Sequence, residues 1–107
     1  MTEYVLIESR DPFESRDTEF VEQTAIAIKE RGYRVTVFLL QNGVFAARKT
    51  TSQLQRLTDA GVILLADDFS LRERGITAAE LTQGVQESGI NNLVDTITQP
   101  NTKAIWH

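Results

Sequence analysis

Short, nearly continuous apolar runs alternate along the chain with segments whose apolar residues recur at helical spacing. The runs are rich in β-branched and aliphatic residues, which is typical of strands buried on both faces of a sheet. Strands are therefore predicted at residues 3–9, 33–40, 62–66 and 103–107, with a further short one within 84–89.

Amphipathic segments with capping residues predict the helices between these strands. A first helix runs to Arg31, and Gly32 follows it in the position that favours glycine. Helix starts are indicated by Asp17 or Thr18 and by the capping-box pairs Ser52–Gln55 and Thr77–Glu80. Later helices are predicted over 52–60, 69–75, 77–83 and 90–99, with a short one at 45–48.

The first helix has one apolar face and one exception to it. Residues expected to face inward are Phe20, Val21, Thr24, Ala25, Ala27 and Ile28. Ile26 lies among the polar positions instead. It is interpreted either as a single exposed apolar residue or as a subunit contact.

Strict alternation of strands and helices predicts the fold class. We expect a single domain over residues 1–107, a three-layer α/β/α arrangement with a mainly parallel, Rossmann-like sheet of about five strands. Ligands of such sheets bind at the carboxyl ends of the strands. Here that edge would be formed by the loops at 9–17, 41–44 and 67–70.

Composition narrows the classes of function. The net charge is −4 without a basic cluster, which argues against nucleic-acid and anionic-membrane partners. No apolar stretch has the length of a membrane span, so a cytoplasmic protein is expected. The chain has no cysteine and a single histidine, His107. We therefore expect no metal and no cofactor.

Two adjacent aspartates end the third apolar run and are the first candidate functional residues. Neighbouring residues of an extended chain point to opposite sides, so Asp67 and Asp68 are not expected to face each other as a dyad. Two interpretations remain open. One carboxylate caps the next helix, or the aspartates act as an acid, a base or magnesium ligands.

A candidate ligand pocket can be assembled from the three loops. Its residues are Ser9, Arg10, Asn42, Gly43, Asp67, Asp68 and Arg72. The arginines would contact an anion, and the backbone at residues 42–43 would donate hydrogen bonds. A glycine-rich dinucleotide motif and a P-loop are absent.

Trp106 is expected to anchor packing or an interface. His107 is expected to be solvated or to reach a neighbouring chain.

Four segments in order resemble the DsrE/TusD-like sulfur-relay family (DsrE/DsrF-like). They are "QNGVFAARKTTS", "GVILLADDFSLRERGI", "QGVQESGINNLV" and "KAIWH". Their order and spacing, more than any one of them, carry the resemblance, which covers most of the chain. It implies a small α/β fold of about five strands that assembles as trimers or hexamers.

The resemblance also locates a difference from the family. In sulfur-transferring members a cysteine at the end of the third strand carries a persulfide. Counting back from Arg74 and Gly75 places Asp67 at that position. Aspartate cannot hold a persulfide, and thiol–disulfide exchange requires a thiolate that this chain lacks.

Three functional hypotheses follow. The first is a non-catalytic DsrE-like subunit, a homotrimer or hexamer that binds a protein partner or a small ligand in sulfur metabolism. The alternative is a small-molecule-binding protein or enzyme that uses the Asp67 and Asp68 pocket. The third is a regulatory or scaffold module that contacts another protein through Ile26 and Trp106.

Overall fold

A computed structural model describes residues 2–15, 18–49 and 54–107 of the chain. Its five strands form one sheet in the order β4-β3-β2-β1-β5, and every pairing is parallel. The strands are β1 Glu3–Glu8, β2 Arg34–Leu39, β3 Ile63–Asp67, β4 Val85–Ser88 and β5 Thr102–Trp106. The predicted parallel α/β fold is confirmed, and the strands lie where the apolar runs placed them.

In the described parts of the chain, four α-helices and two 3-10 helices connect the strands. The α-helices are α1 Thr18–Glu30, α2 Gln55–Asp59, α3 Asp68–Glu73 and α4 Ile90–Ile97. The 3-10 helices are Gln41–Ala47 and Ala78–Glu80. Two of the predicted capping residues, Asp17 and Ser52, lie outside the described residues.

The third predicted helix start has the expected cap but a shorter helix. The Glu80 carboxylate accepts hydrogen bonds from the Thr77 N–H at 3.1 Å and the Thr77 hydroxyl at 3.0 Å. The helix ends at Glu80 instead of continuing to Gln83, because Leu81 is extended and forms an antiparallel bridge with Arg48.

The two faces of the sheet are covered unequally. On the first, which we call the α1 face, strand residues such as Leu6, Val37 and Leu64 pack against residues of α1, α2 and α3. The opposite α4 face is smaller. Its buried side chains are Val5, Ile7, Phe38, Leu40 and, from α4, Leu93.

Helix α1 differs from the predicted orientation at two residues. Ile26 is partly buried and packs against the core of the α1 face, so it is not a free surface residue. It lies one turn after Glu22, on the flank that α2 covers through the Arg56–Glu22 ion pair. Phe20, which was assigned to the inward face, lies on the other flank and is 57% exposed.

Candidate functional site

Asp67 ends β3 and caps α3. Its Oδ2 accepts hydrogen bonds from the Ser70 N–H at 2.9 Å and from the Ser70 hydroxyl at 2.6 Å. The same hydroxyl accepts a hydrogen bond from the Gln41 N–H at 2.9 Å. One carboxylate oxygen thus connects the end of β3, the start of α3 and the loop after β2.

The other oxygen of this carboxylate has no partner. Asp67 is only 3% exposed, and its Oδ1 is the one buried side-chain N or O atom in the described parts of the chain without a hydrogen bond. A buried polar atom without a partner costs about 1–3 kcal/mol. A hydrogen-bond donor that reaches such an atom stabilises the folded protein by removing this cost.

Asp67 lies in the wall of a cavity of about 560 Å³ at the carboxyl edge of the sheet. The wall is formed by Leu40, Gln41, Asn42, Asp67, Asp68, Phe69, Ser70, Glu73, Arg74 and Ile90. Asp68 contributes to the same cavity because it is the first residue of α3, where the alternation of the strand ends. The cavity combines acidic groups with an apolar part formed by Leu40, Phe69 and Ile90.

The guanidinium in this wall belongs to Arg74. Its Nε and Nη2 donate to the Asn42 Oδ1 at 3.1 and 2.9 Å, and its Nη1 donates to the Ser70 carbonyl oxygen at 3.2 Å. Arg72, the arginine named from the sequence, is exposed on α3 and lies outside the wall. Sequence spacing could not separate the two, since both follow the aspartates within one short helix.

Gly43 has a packing role that the sequence did not reveal. A Cβ atom on this residue would lie 2.1 Å from the Glu8 carbonyl oxygen, so only glycine lets the loop approach the end of β1 this closely. Its N–H donates to the Leu40 carbonyl oxygen at 2.9 Å. That N–H is therefore occupied within the loop.

Ser9 and Arg10 lie apart from the Asp67 cavity. The Ser9 hydroxyl donates to the His107 carbonyl oxygen at 3.1 Å and accepts from the Trp106 Nε1 at 3.2 Å. Arg10 borders a second cavity of about 400 Å³ between the sheet and α1. Of the seven predicted residues, Asn42, Asp67 and Asp68 share one cavity, and the other four lie outside it.

A second buried carboxylate, Glu8, was missed in the sequence. It ends β1, is 4% exposed, and accepts a hydrogen bond from the Arg10 N–H at 2.8 Å through Oε1. Its Oε2 lies 2.7 Å from the His107 Nδ1. The prediction that His107 is solvated is wrong, because β5 pairs with β1 and places the side chain, 17% exposed, beside Glu8.

Two acidic side chains around the second cavity, Glu8 and Glu22, are paired with basic side chains of this chain. Around the second cavity Glu8 is matched by His107, and Glu22 lies 3.2 Å from the Arg56 guanidinium. The Ser9 hydroxyl contacts the His107 backbone carbonyl and not the ring, which is not the arrangement of a serine nucleophile and its base.

Two properties of residues 2–15, 18–49 and 54–107 concern metal binding and membrane insertion. No three His, Asp or Glu side chains there converge closely enough to hold a metal ion. None of the helices in these ranges has the length and apolarity needed to cross a bilayer.

Large apolar side chains are exposed on the α4 side of the sheet. Phe69 is 60% exposed, Ile90 48%, Val94 47% and Trp106 64%. Trp106 pairs in register with Ile7, so the two side chains point to the same face. These four residues, here called the apolar rim, extend from the Asp67 cavity over α4 to the end of β5.

Solved structures share this architecture over essentially the whole chain. The ychN protein from E. coli has a TM-score of 0.90 and 19% identity, with 100% of both chains covered. MTH1491 from Methanobacterium thermoautotrophicum, a protein of unknown function, has a TM-score of 0.79, 22% identity and 100% coverage of both chains. BT1422 from Bacteroides thetaiotaomicron has a TM-score of 0.77 and 18% identity over 98% of this chain and 94% of its own.

Sequence comparison identifies the family. No match was found among curated proteins. The family model described as DsrE/DsrF-like, in contrast, matches residues 3–103, which include the first four strands and the first two residues of β5. Together with the parallel five-stranded fold, this match shows that the chain belongs to the DsrE/DsrF-like family.

Proposed function

We propose that this chain is a non-catalytic, self-associating DsrE-like subunit that acts in cytoplasmic sulfur metabolism by binding rather than by carrying sulfur. The observation that carries the proposal is Asp67. Its buried carboxylate stands at the end of β3. The family resemblance implies a cysteine at this position in sulfur-transferring members.

The chemistry at this position supports binding over transfer. A persulfide carrier needs a thiolate that attacks and leaves, and the chain contains no cysteine. The Asp67 carboxylate instead holds the start of α3 through two hydrogen bonds from Ser70. Its role at the edge is to shape the cavity and to present one free oxygen.

The apolar rim supports self-association. Helix α4 repeats apolar residues at Ile90, Leu93, Val94 and Ile97, yet only Leu93 is fully buried in the chain. Exposed aromatic and aliphatic side chains that lie together on one face mark protein–protein contacts. A trimer or hexamer would cover this face and would place subunits beside the Asp67 cavity.

Charge substitution on the rim tests the assembly. We expect native mass spectrometry at about 10 µM to show a trimer or hexamer, and Val94→Glu to shift it to monomer, because a buried unpaired charge costs several kcal/mol. Gln23→Glu is the matched control, since it adds the same charge on the exposed side of α1. A monomeric wild-type protein, or dissociation by both variants, would contradict self-association through this face.

Labelled sulfane sulfur tests the other half of the proposal. After incubation with a labelled persulfide donor and gel filtration, we expect no label on the wild-type protein. Label that stays on the chain and then moves to an acceptor thiol would rule out a subunit that does not carry sulfur.

A second candidate function is favoured by the same cavity. An enzyme or a small-molecule-binding protein would use Asp67 and Asp68, both of which line it. A thermal-shift screen against metabolites, nucleotides and divalent ions distinguishes this from a purely protein-binding role. The Ile26 surface does not enter either function, because Ile26 packs against the core.

A further inference from the structure

We infer that the Asp67 cavity binds an organic ammonium compound, a primary amine on an apolar body, with the ammonium donating to the Asp67 Oδ1. The inference rests on the proposed function, since it names the ligand class of the same site. It starts from the one buried side-chain oxygen that has no hydrogen-bond donor within the described residues.

The unpaired oxygen sets the geometry of recognition. The Asp67 Oδ2 already accepts two hydrogen bonds from Ser70, so only Oδ1 is available to a ligand. A guanidinium recognises a carboxylate most favourably through two parallel N–H donors, one to each oxygen. An ammonium needs a single acceptor, and it therefore matches a carboxylate of which one oxygen is used.

The charges of the wall select a cation. Asp67, Asp68 and Glu73 contribute three carboxylates, against one guanidinium from Arg74. The Arg74 donors are directed to Asn42 and to the Ser70 carbonyl, and its guanidinium also lies 5.8 Å from the centre of the Phe45 ring. An anionic ligand would therefore meet an excess of negative charge.

The size and the apolar part of the cavity select an organic ligand over a metal ion. About 560 Å³ is in the range of small-molecule sites. Within residues 2–15, 18–49 and 54–107, no three acidic or histidine side chains converge to hold a metal ion, the three carboxylates of this wall included. Phe69 and Ile90 are exposed and give an aromatic or aliphatic group a wall to cover.

In this inference the ligand reaches the buried Oδ1 by displacing side chains of the cavity wall. The oxygen is buried, while the neighbouring Phe69 is 60% exposed and Ile90 48%. Exposed side chains change rotamer in picoseconds to nanoseconds. The ligand's apolar group would then replace the solvent on Phe69 and Ile90 as its ammonium reaches Asp67.

Three small probes that differ in charge test the inference on the full chain. The probes are 2-phenylethylamine, 2-phenylethanol and 3-phenylpropionate, titrated at fixed salt by calorimetry and by amide NMR. We expect the amine to saturate the protein with a Kd of about 1 mM or lower and to move the Ser70 amide signal. The neutral and the anionic probes should bind at least about tenfold more weakly, as expected for one favourable charge pair.

Variants assign the effect to the carboxylate. Asp67→Asn keeps an oxygen that can cap α3 but removes the charge, and it should weaken amine binding at least about tenfold. Asp68→Asn, which removes a charge from the same wall, should weaken it less than about threefold. Phe69→Ala changes an exposed residue of the cavity wall. Loss of the aromatic ring should weaken amine binding about threefold.

Each contrary result is decisive. Amine binding that survives in Asp67→Asn, equal binding of the alcohol, or no saturation by the amine would overturn the inference. A failure here would leave the mass and sulfur results unchanged, so it is distinguishable from a failure of the proposed function.

Discussion

Two buried carboxylates end strands on opposite faces of the sheet, and they differ in what surrounds them. Glu8 ends β1 on the α1 face and Asp67 ends β3 on the α4 side, with nearly equal exposures of 4% and 3%. Both Glu8 oxygens have partners, one of them in His107 at the far end of the sequence. Among the described residues, the Asp67 carboxylate accepts hydrogen bonds only from Ser70, three residues away, and its Oδ1 has no partner.

This difference teaches that burial alone does not identify a binding carboxylate. Glu8 fastens β5 to the loop after β1, and its hydrogen-bonding capacity is used in doing so. Asp67 satisfies a local cap and leaves an acceptor beside a cavity. Counting partners for each oxygen separates a structural carboxylate from one suited to a ligand.

The largest expected effect is at Glu8. Glu8→Ala should lower the free energy of unfolding by about 3 kcal/mol, because it removes two charge-assisted contacts and leaves the Arg10 N–H without its carboxylate. Urea denaturation followed by circular dichroism measures the loss.

A double-mutant cycle with His107→Ala sharpens this result. We expect a coupling energy of about 1 kcal/mol or more between Glu8 and His107, since they are in contact. Strictly additive single and double variants would show that the pair does not fasten β5 to β1.

A smaller loss is expected at Asp67. Asp67→Ala should cost about 1 kcal/mol, because it removes the cap of α3 but also removes the unpaired oxygen. Asp67→Asn should cost a few tenths of a kcal/mol, since asparagine is also a good cap. If Asp67→Ala destabilised the protein as much as Glu8→Ala under the same denaturation conditions, the contrast between the two carboxylates would disappear.

The smallest effect on stability is expected at Glu80, an exposed carboxylate that can be compared with the buried Glu8 and Asp67. Hydrogen bonds from the Thr77 backbone and hydroxyl lower the pKa of Glu80 below its ordinary value of 4.5. A lowered pKa in the folded state stabilises the protein above the unfolded pKa, and this contribution is lost as the pH falls through the folded pKa. Wild-type protein should therefore lose more stability than Glu80→Gln on going from pH 6 to pH 3.

Urea midpoints at the two pH values measure that difference. Thr77→Ala, which removes the hydroxyl donor, should reduce it without changing the charge of the chain. Equal pH dependence in wild type and Glu80→Gln would show that the Thr77 contacts do not favour the ionised form.

Much of the fold could be predicted because its signals are local. The three central strands are mainly apolar runs with buried residues on both faces, and Asp67 stands at the end of one of them with Ser70 at the correct distance for a cap. Even the Thr77–Glu80 pair formed as its spacing indicates. Each of these features involves residues a few positions apart, where propensity and spacing determine the structure.

The rest depended on pairing between distant parts of the chain. Glu8 and His107 meet only because β5 lies beside β1 in the order of the sheet, which no spacing encodes. Ile26 was assigned to the surface because a helical wheel does not include the flank that α2 covers. The choice of Arg74 over Arg72 required the position of Asn42 from another loop.

The order of the strands also decides which backbone edges of the sheet are open to another chain. The outermost strands, β4 and β5, are short and carry the charged residues Glu87 and Lys103. Short charged borders discourage another chain from adding its backbone to the sheet. Growth into cross-β fibres is thereby opposed at both borders of the sheet.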